Sequence, residues 1–288
     1  MRFISRVWQR IPIIVRVILT GLFILILGAL GWSALTFGSL QLVRSVPWAG
    51  GPLALLAGGC FLWGYWRYLG GAWLPQSTAE LRARRLRAHR LPGRAWSWAL
   101  ITGVLAIVSF VCIVNVWARF VRLPPWSASS ITRYSFLTAI CILIGAAAEA
   151  GIVEEAAFRG YVQESLEEQF KPGFAVVVAA VLFGLAHIAN GRQEIAWLLP
   201  YTMFGAILGI LAYTTNSIVP GILLHSGVDA VRFWLVWRTR SAAPHVLIWQ
   251  SGPNASFWQN LAVGAVFGVA AIIAQRRLAA VCDISQPT

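Results

Sequence analysis

The sequence predicts an all-α, polytopic membrane helix bundle of about eight transmembrane helices, with both termini on the cytoplasmic side. Three observations carry this. Hydrophobic residues make up 58% of the 288 residues and charged residues only 11%, against roughly 25% charged in an ordinary soluble domain. The apolar residues run in charge-free stretches close to the about 20 residues that cross a bilayer. The chain also carries 15 Trp and 26 Gly, and both interfacial aromatics and glycine are enriched in membrane proteins. Soluble globular, disordered, collagen-like and disulfide-scaffold classes are excluded together.

Helices are expected over residues 14–37, 49–72, 96–118, 135–164, 173–190, 195–213, 217–237 and 256–275. The first follows Arg2, Arg6, Arg10 and Arg16, which resembles a signal-peptide start. Its apolar stretch is too long for such a peptide, so an uncleaved first helix is expected. The apolar run 195–228 exceeds one span and breaks at Thr214-Thr215-Asn216-Ser217, a polar turn signal. With the N-terminus inside, 14 basic residues (Arg159 among them) fall on the cytoplasmic side and seven outside, which sets the N-in, C-in orientation. The net charge of +13 is thus assigned to an anionic membrane face and not to nucleic acid. The basic stretch 81–94 is expected to lie against lipid phosphates, and Glu164, Glu167 and Glu168 to form a solvated face. The organisation reads as helices 1–3 with a basic loop at 74–95 (residues 1–132), a core of helices 4–7 (133–240), and helix 8 with a tail (241–288). The four cysteines are scattered without CxxC spacing, and the three inside apolar runs are expected to be small buried hydrophobes.

The acids are unevenly placed. Eight of the ten lie between Glu149 and Asp229, and the first 148 residues hold only Glu80. A charge at mid-membrane costs about 2.5–3.5 kcal/mol on insertion scales, and such residues face a protein interior or a water cavity. Glu155 and Arg159 are four apart and meet on one face of the fourth helix. Glu154 points about 100° away and lacks that partner, a disposition suited to general acid–base work. Phe183 and His187 share a face of the fifth helix. His225 and Asp229 share a face of the seventh, with Arg232 three residues on. At about 1.5 Å per residue, Glu154, His187 and His225 fall at one level in the middle to cytoplasmic half of the bilayer.

These patterns, Glu154-Glu155-Ala-Ala-Phe-Arg159, Phe183-Gly-Leu-Ala-His187 and His225-Ser-Gly-Val-Asp229, resemble the EExxxR, FxxxH and HxxxN motifs of the CAAX protease and bacteriocin-processing family (CPBP, also called Abi). That family includes the type II CAAX prenyl endopeptidases. The resemblance covers roughly residues 139–240 and implies intramembrane proteolysis. It gives Glu154 and His187 the activation of a water and gives His225 and the residue at Asp229 the oxyanion. It gives Glu155, Arg159 and Phe183 supporting parts. No Ser or Cys pairs with a His as a nucleophile, so direct water attack is the better reading. Asp229 stands where the family has Asn, and an ionised carboxylate cannot donate to an oxyanion. Either Asp229 is protonated in its apolar setting, or Arg232 keeps it ionised and it orients His225; the orienting part is the one expected.

No cofactor is required on this reading. Zinc is the open option, with Glu154, His187 and His225 as ligands, although the HExxH pattern is absent. The expected partners are the lipid bilayer and a peptide or membrane-protein substrate, with no nucleic acid. The expected location is the cell membrane, multi-pass, as in a bacterial inner membrane. Two other functions stay open. One is a non-catalytic CPBP-fold protein for binding or bacteriocin immunity. The other is a proton-coupled transporter, against which the lack of a visible repeat counts.

Overall fold

The structure, a computed structural model, describes residues 10–42, 47–124, 134–239 and 246–284. Arg2 and Arg6 of the basic N-terminal stretch, and Arg44, Arg133 and Arg240, lie outside the described residues. The long helices are α1 (Ile13–Leu42), α2 (Pro47–Leu69), α4 (Gly93–Trp117), α5 (Phe136–Glu167), α6 (Pro172–Ala186), α7 (Leu198–Thr215), α8 (Val219–Thr239) and α10 (Ala255–Ile284). Two short ones, α3 (Ala79–Leu86) and α9 (Ile248–Ser251), complete the set. Among the described residues there is no β-strand, only an isolated bridge between Ala88 and Ser217. The fold is thus an all-α, multi-pass membrane bundle.

Seven of the described helices are long and apolar enough to cross a membrane. The remaining long helix, α2, has 23 residues, and its glycines, tryptophans and Arg67 dilute its apolar character. It runs antiparallel to α1, with the Tyr65 hydroxyl donating to Ile24 O at 3.0 Å. Leucines and phenylalanines such as Phe23 and Leu30 cover the outer surface, as hydrocarbon contact requires. On the other flank, α4 and α10 pack along their length, joined by Ser109 Oγ donating to Gly264 O at 2.8 Å.

Helix ends follow local chemistry. Ser135 caps α5 by accepting from Thr138 N–H at 3.3 Å, an N-cap hydroxyl on an otherwise unsatisfied donor. Pro172 begins α6, where its missing N–H costs nothing. The polar turn expected at 214–217 is present: α7 stops at Thr215 and Asn216 takes a left-handed conformation with φ 47°, which Asn tolerates better than most residues.

Two expectations are corrected at the end of the bundle that carries α3. The arginines of 81–94 do not chiefly face lipid phosphates. Arg82 is buried and donates to Tyr68 O, Pro75 O, Trp73 O and Thr78 Oγ1. Arg85 bridges Glu164 and Glu168 at 2.5 and 2.6 Å, and Arg84 reaches Glu168 at 2.8 Å. Arg87 meets Glu167 at 2.9 Å, Asn216 Oδ1 at 3.1 Å and Ala212 O at 3.2 Å. The three glutamates read as a solvated face therefore clamp α3 to the end of α5. Sequence periodicity could not reveal this, because the pairing spans about 80 residues of chain. Arg159, counted above among the cytoplasmic basic residues, is fully buried within the α5 span.

The clamp separates a buried pair from an exposed one. The Arg87 side chain is 4% exposed and Arg84 58% exposed. Arg87→Ala is expected to destabilise the protein by about 3 kcal/mol, since it leaves Glu167 uncompensated. Arg84→Ala should cost less than about 1 kcal/mol. Thermal unfolding of the full chain in detergent measures both.

Candidate functional site

The site is built on α5, and α5 is not an ordinary α-helix there. Its segments Ala150–Glu154 and Ala156–Gln163 wind as π-helix, a rare geometry that concentrates at functional sites. The wider turn changes which side chains share a face. On an α-helix Glu154 and Glu155 would diverge by about 100°. Here both reach the same imidazole.

Glu155 Oε1 accepts from Arg159 Nη1 at 2.7 Å and from His225 Nδ1 at 2.9 Å. Both Glu155 and Arg159 are fully buried. Arg159 Nη2 donates to Gly205 O of α7 at 3.1 Å, and its guanidinium lies over the Phe183 ring of α6 at 4.4 Å. One ion pair thereby touches four helices. Glu154 Oε2 lies on the open side of the same group, 3.8 Å from His225 Nε2 and 4.0 Å from His187 Nε2. That oxygen is buried and makes no hydrogen bond to any described residue.

His187 stands where α6 tightens from α to 3-10 geometry. Its backbone N–H turns to Gly184 O, which leaves the Phe183 carbonyl to accept from the His187 ring Nδ1–H at 2.8 Å. A carbonyl can only accept, so Nδ1 carries a proton, and in the neutral ring Nε2 is the acceptor nearest Glu154. The Phe183 ring is wedged between Arg159 and His187, 4.8 Å from the imidazole centroid. This is the physical reason for a phenylalanine four residues before the histidine.

Asp229 lies on α8 one turn beyond His225. Its Oδ2 is 3.7 Å from His225 Nε2 and its Oδ1 3.9 Å from Arg232 Nη1. Both separations exceed hydrogen-bond length, so the hydrogen bond to His225 is made by Glu155 and not by Asp229. All seven residues singled out by sequence, Glu154, Glu155, Arg159, Phe183, His187, His225 and Asp229, are thus brought together. Ser226 faces Gly151 and is absent from the group of ionisable side chains.

Three neighbours escaped sequence reasoning. Glu149 is within electrostatic reach of Glu154, His225 and Asp229, although five residues separate it from Glu154, a spacing that an α-helix would splay apart. Tyr201 stacks on His187 with centroids 3.9 Å apart, and its hydroxyl donates to the buried Glu194 at 3.0 Å. Neither residue belongs to a motif, and only the folded position of α7 marks them.

The zinc option meets its geometry here. Two ligands of a tetrahedral zinc lie about 3.3 Å apart for bonds of about 2.0–2.1 Å. Glu154 stands 3.8 and 4.0 Å from the two imidazoles. Among the described residues no group of three or more His, Cys, Asp or Glu is disposed to hold a metal ion. The proposed ligand set does not fit as placed.

The glutamates and histidines of α5, α6 and α8 thus form one cluster of ionisable side chains inside a membrane bundle. Residues 135–231 match the family model described as Rce1-like, type II CAAX prenyl endopeptidase Rce1-like. The matched segment is the one that carries all three motifs, and the family implies a CAAX intramembrane protease. No curated protein and no solved structure matches the chain.

The α5–α8 contact that brings Glu155 to His225 depends on a glycine. A Cβ on Gly151 would lie 2.1 Å from Ser226 Oγ and 2.9 Å from the backbone Ile222 O. Gly151→Ala is therefore expected to cost about 1–3 kcal/mol through overpacking. Gly173→Ala, where a Cβ meets nothing within 4 Å, should be neutral or slightly stabilising. Unfolding midpoints in detergent distinguish them.

Proposed function

We propose that this protein is an intramembrane endopeptidase that hydrolyses a peptide bond with water activated by Glu154 and His187. The observation that carries the reading is the position of Glu154 Oε2, buried, without a hydrogen bond to the described residues, and 4.0 Å from His187 Nε2. A separation of 4.0 Å suits one water, in a site that opens to admit it, held about 2.8 Å from each acceptor and donating one hydrogen to each. Its own lone pair is then free for the scissile carbonyl carbon. Glu154 removes a proton as the bond to carbon forms. The developing oxyanion is received by His225, whose Nε2 donates when the ring carries its second proton. Glu154 then delivers the proton to the departing amine, so the step conserves protons and needs no covalent enzyme intermediate.

Glu155 and Arg159 hold His225 rather than react. Asp229, an acceptor when ionised, takes an orienting part beside His225, with Arg232 behind it. No step runs through a metal ion. The substrate class suggested by the family is a prenylated CAAX-type peptide or membrane protein, held in a cell membrane with both termini of the enzyme on the cytoplasmic side.

The test is cleavage of a farnesylated, internally quenched CAAX-type peptide by the purified chain in liposomes. Wild type is expected to cleave in the presence of EDTA. Glu154→Gln should lower kcat by at least about 10²–10⁴-fold, the usual worth of a positioned acid–base group. Asp229→Asn should keep at least partial activity. Full activity in Glu154→Gln would overturn the water-activation role, and complete loss in Asp229→Asn would overturn the orienting role. A binding protein gives no cleavage in any arm, and a proton-coupled transporter gives proton flux into the same liposomes instead.

A further inference from the structure

Outside the motif residues, the most tightly built contact in the site is the one between α7 and His187. The two rings of Tyr201 and His187 are 3.9 Å apart and inclined by 25°, a true stack among several edge-on contacts in this core. Tyr201 is 6% exposed and its hydroxyl donates to Glu194 Oε2 at 3.0 Å. Glu194 is itself buried, in the 3-10 turn Arg192–Trp197 that opens α7. A carboxylate placed there is costly unless it accepts a hydrogen bond. The Trp197 ring is tilted against Tyr201, with centroids 6.1 Å apart. The tyrosine is therefore fixed at its tip by Glu194, with Arg232 also reaching the hydroxyl, and along its ring by neighbours.

His187 needs such a wall. It sits at the point where α6 ceases to be α-helical, beyond the regular ladder that stiffens a helix interior. Its Nδ1–H···O=C contact with Phe183 fixes the tautomer and one in-plane direction, but a single hydrogen bond leaves the ring free to swing about it. The Phe183 ring meets the imidazole at 57° and limits that swing only at an angle. The Tyr201 ring lies along the imidazole face.

We infer that Tyr201, anchored by Glu194, is a positioning residue that locks the plane of His187 so that Nε2 faces Glu154. Because this rests on the hydrolase reading, the test carries a readout independent of cleavage. The chain has four histidines, so ring-labelled histidine gives a short NMR spectrum, and His187→Gln identifies the His187 signals by their loss. In the full-length wild type, His187 shows a single Nδ1–H tautomer with ring protons shifted upfield by the stacked tyrosine. Tyr201→Phe keeps the ring but releases it from Glu194. Partial loss of the upfield shift and a fall in kcat of about tenfold are expected. Tyr201→Leu removes the stack, so the upfield shift is lost and both tautomers appear. Its kcat on the farnesylated quenched peptide falls by about 100-fold, the order that a misplacement of about 1 Å costs, while KM stays within about twofold. Unchanged His187 signals in both variants, or a loss borne by KM alone, would overturn the inference. If Tyr201→Leu does not fold, Tyr201→Phe decides alone. Absence of cleavage in wild type strikes the proposed function and leaves the NMR outcome to judge the positioning.

Discussion

One carboxylate oxygen organises the centre of this protein. Glu155 Oε1 accepts from both Arg159 and His225, and Arg159 extends the same contact to Gly205 O and to the face of Phe183. Two charges removed from water recover their hydration cost only with close geometry and further hydrogen bonds; here Arg159 and Glu155 Oε1 are engaged, while Glu155 Oε2 is buried without a hydrogen bond to the described residues. The pair lies within spans where no lipid could substitute for a missing partner. It therefore fixes how α5, α6, α7 and α8 approach each other, and the reactive side chains inherit their places from it.

The consequence is an asymmetry between two adjacent glutamates. Glu155 is consumed by Arg159 and His225, so Glu154 carries the free function. That division depends on the π-helical winding of α5, which turns both carboxylates toward opposite nitrogens of one imidazole. An ordinary α-helix would have presented one of them to a different neighbour. The same logic operates on α6, where the passage to 3-10 geometry releases the Phe183 carbonyl and so sets the proton position on His187. In both cases a local departure from the regular helix creates the chemical disposition, and the close packing at Gly151 and Gly205 brings the carriers together.

Much of this was legible in the chain. Most spans could be placed within a few residues because bilayer thickness imposes a length on apolar runs, but α1 runs five residues and α10 nine residues past the expected ends. The break at Asn216 was visible because its residue types favour a left-handed turn. Six of the seven site residues stood out as polar or aromatic pairs at four-residue spacing in apolar helices, and Glu154 stood out as the carboxylate that such a pairing left over. What periodicity could not carry was any feature set by partners distant in sequence. The Arg85 and Arg87 clamp on Glu164, Glu167 and Glu168 looked like a lipid-facing loop and a wet helix face, since each half is charged and amphipathic alone. Tyr201 and Glu194 looked like ordinary members of an apolar helix and its entry. Glu149 was hidden for a different reason: its relation to Glu154 exists only on a helix wider than the one that sequence patterns assume.

The central claim, that a buried Glu155–Arg159 pair holds the four core helices in their working arrangement, is tested most directly by a double-mutant cycle. The stabilities of Glu155→Gln, Arg159→Met and the double variant would be measured by reversible unfolding in detergent. Each single change is predicted to cost about 3–5 kcal/mol, because each leaves an uncompensated buried charge, and the double change no more than either single one. Small and additive losses would mean that the two side chains do not share one buried contact, and the arrangement built on them would not stand.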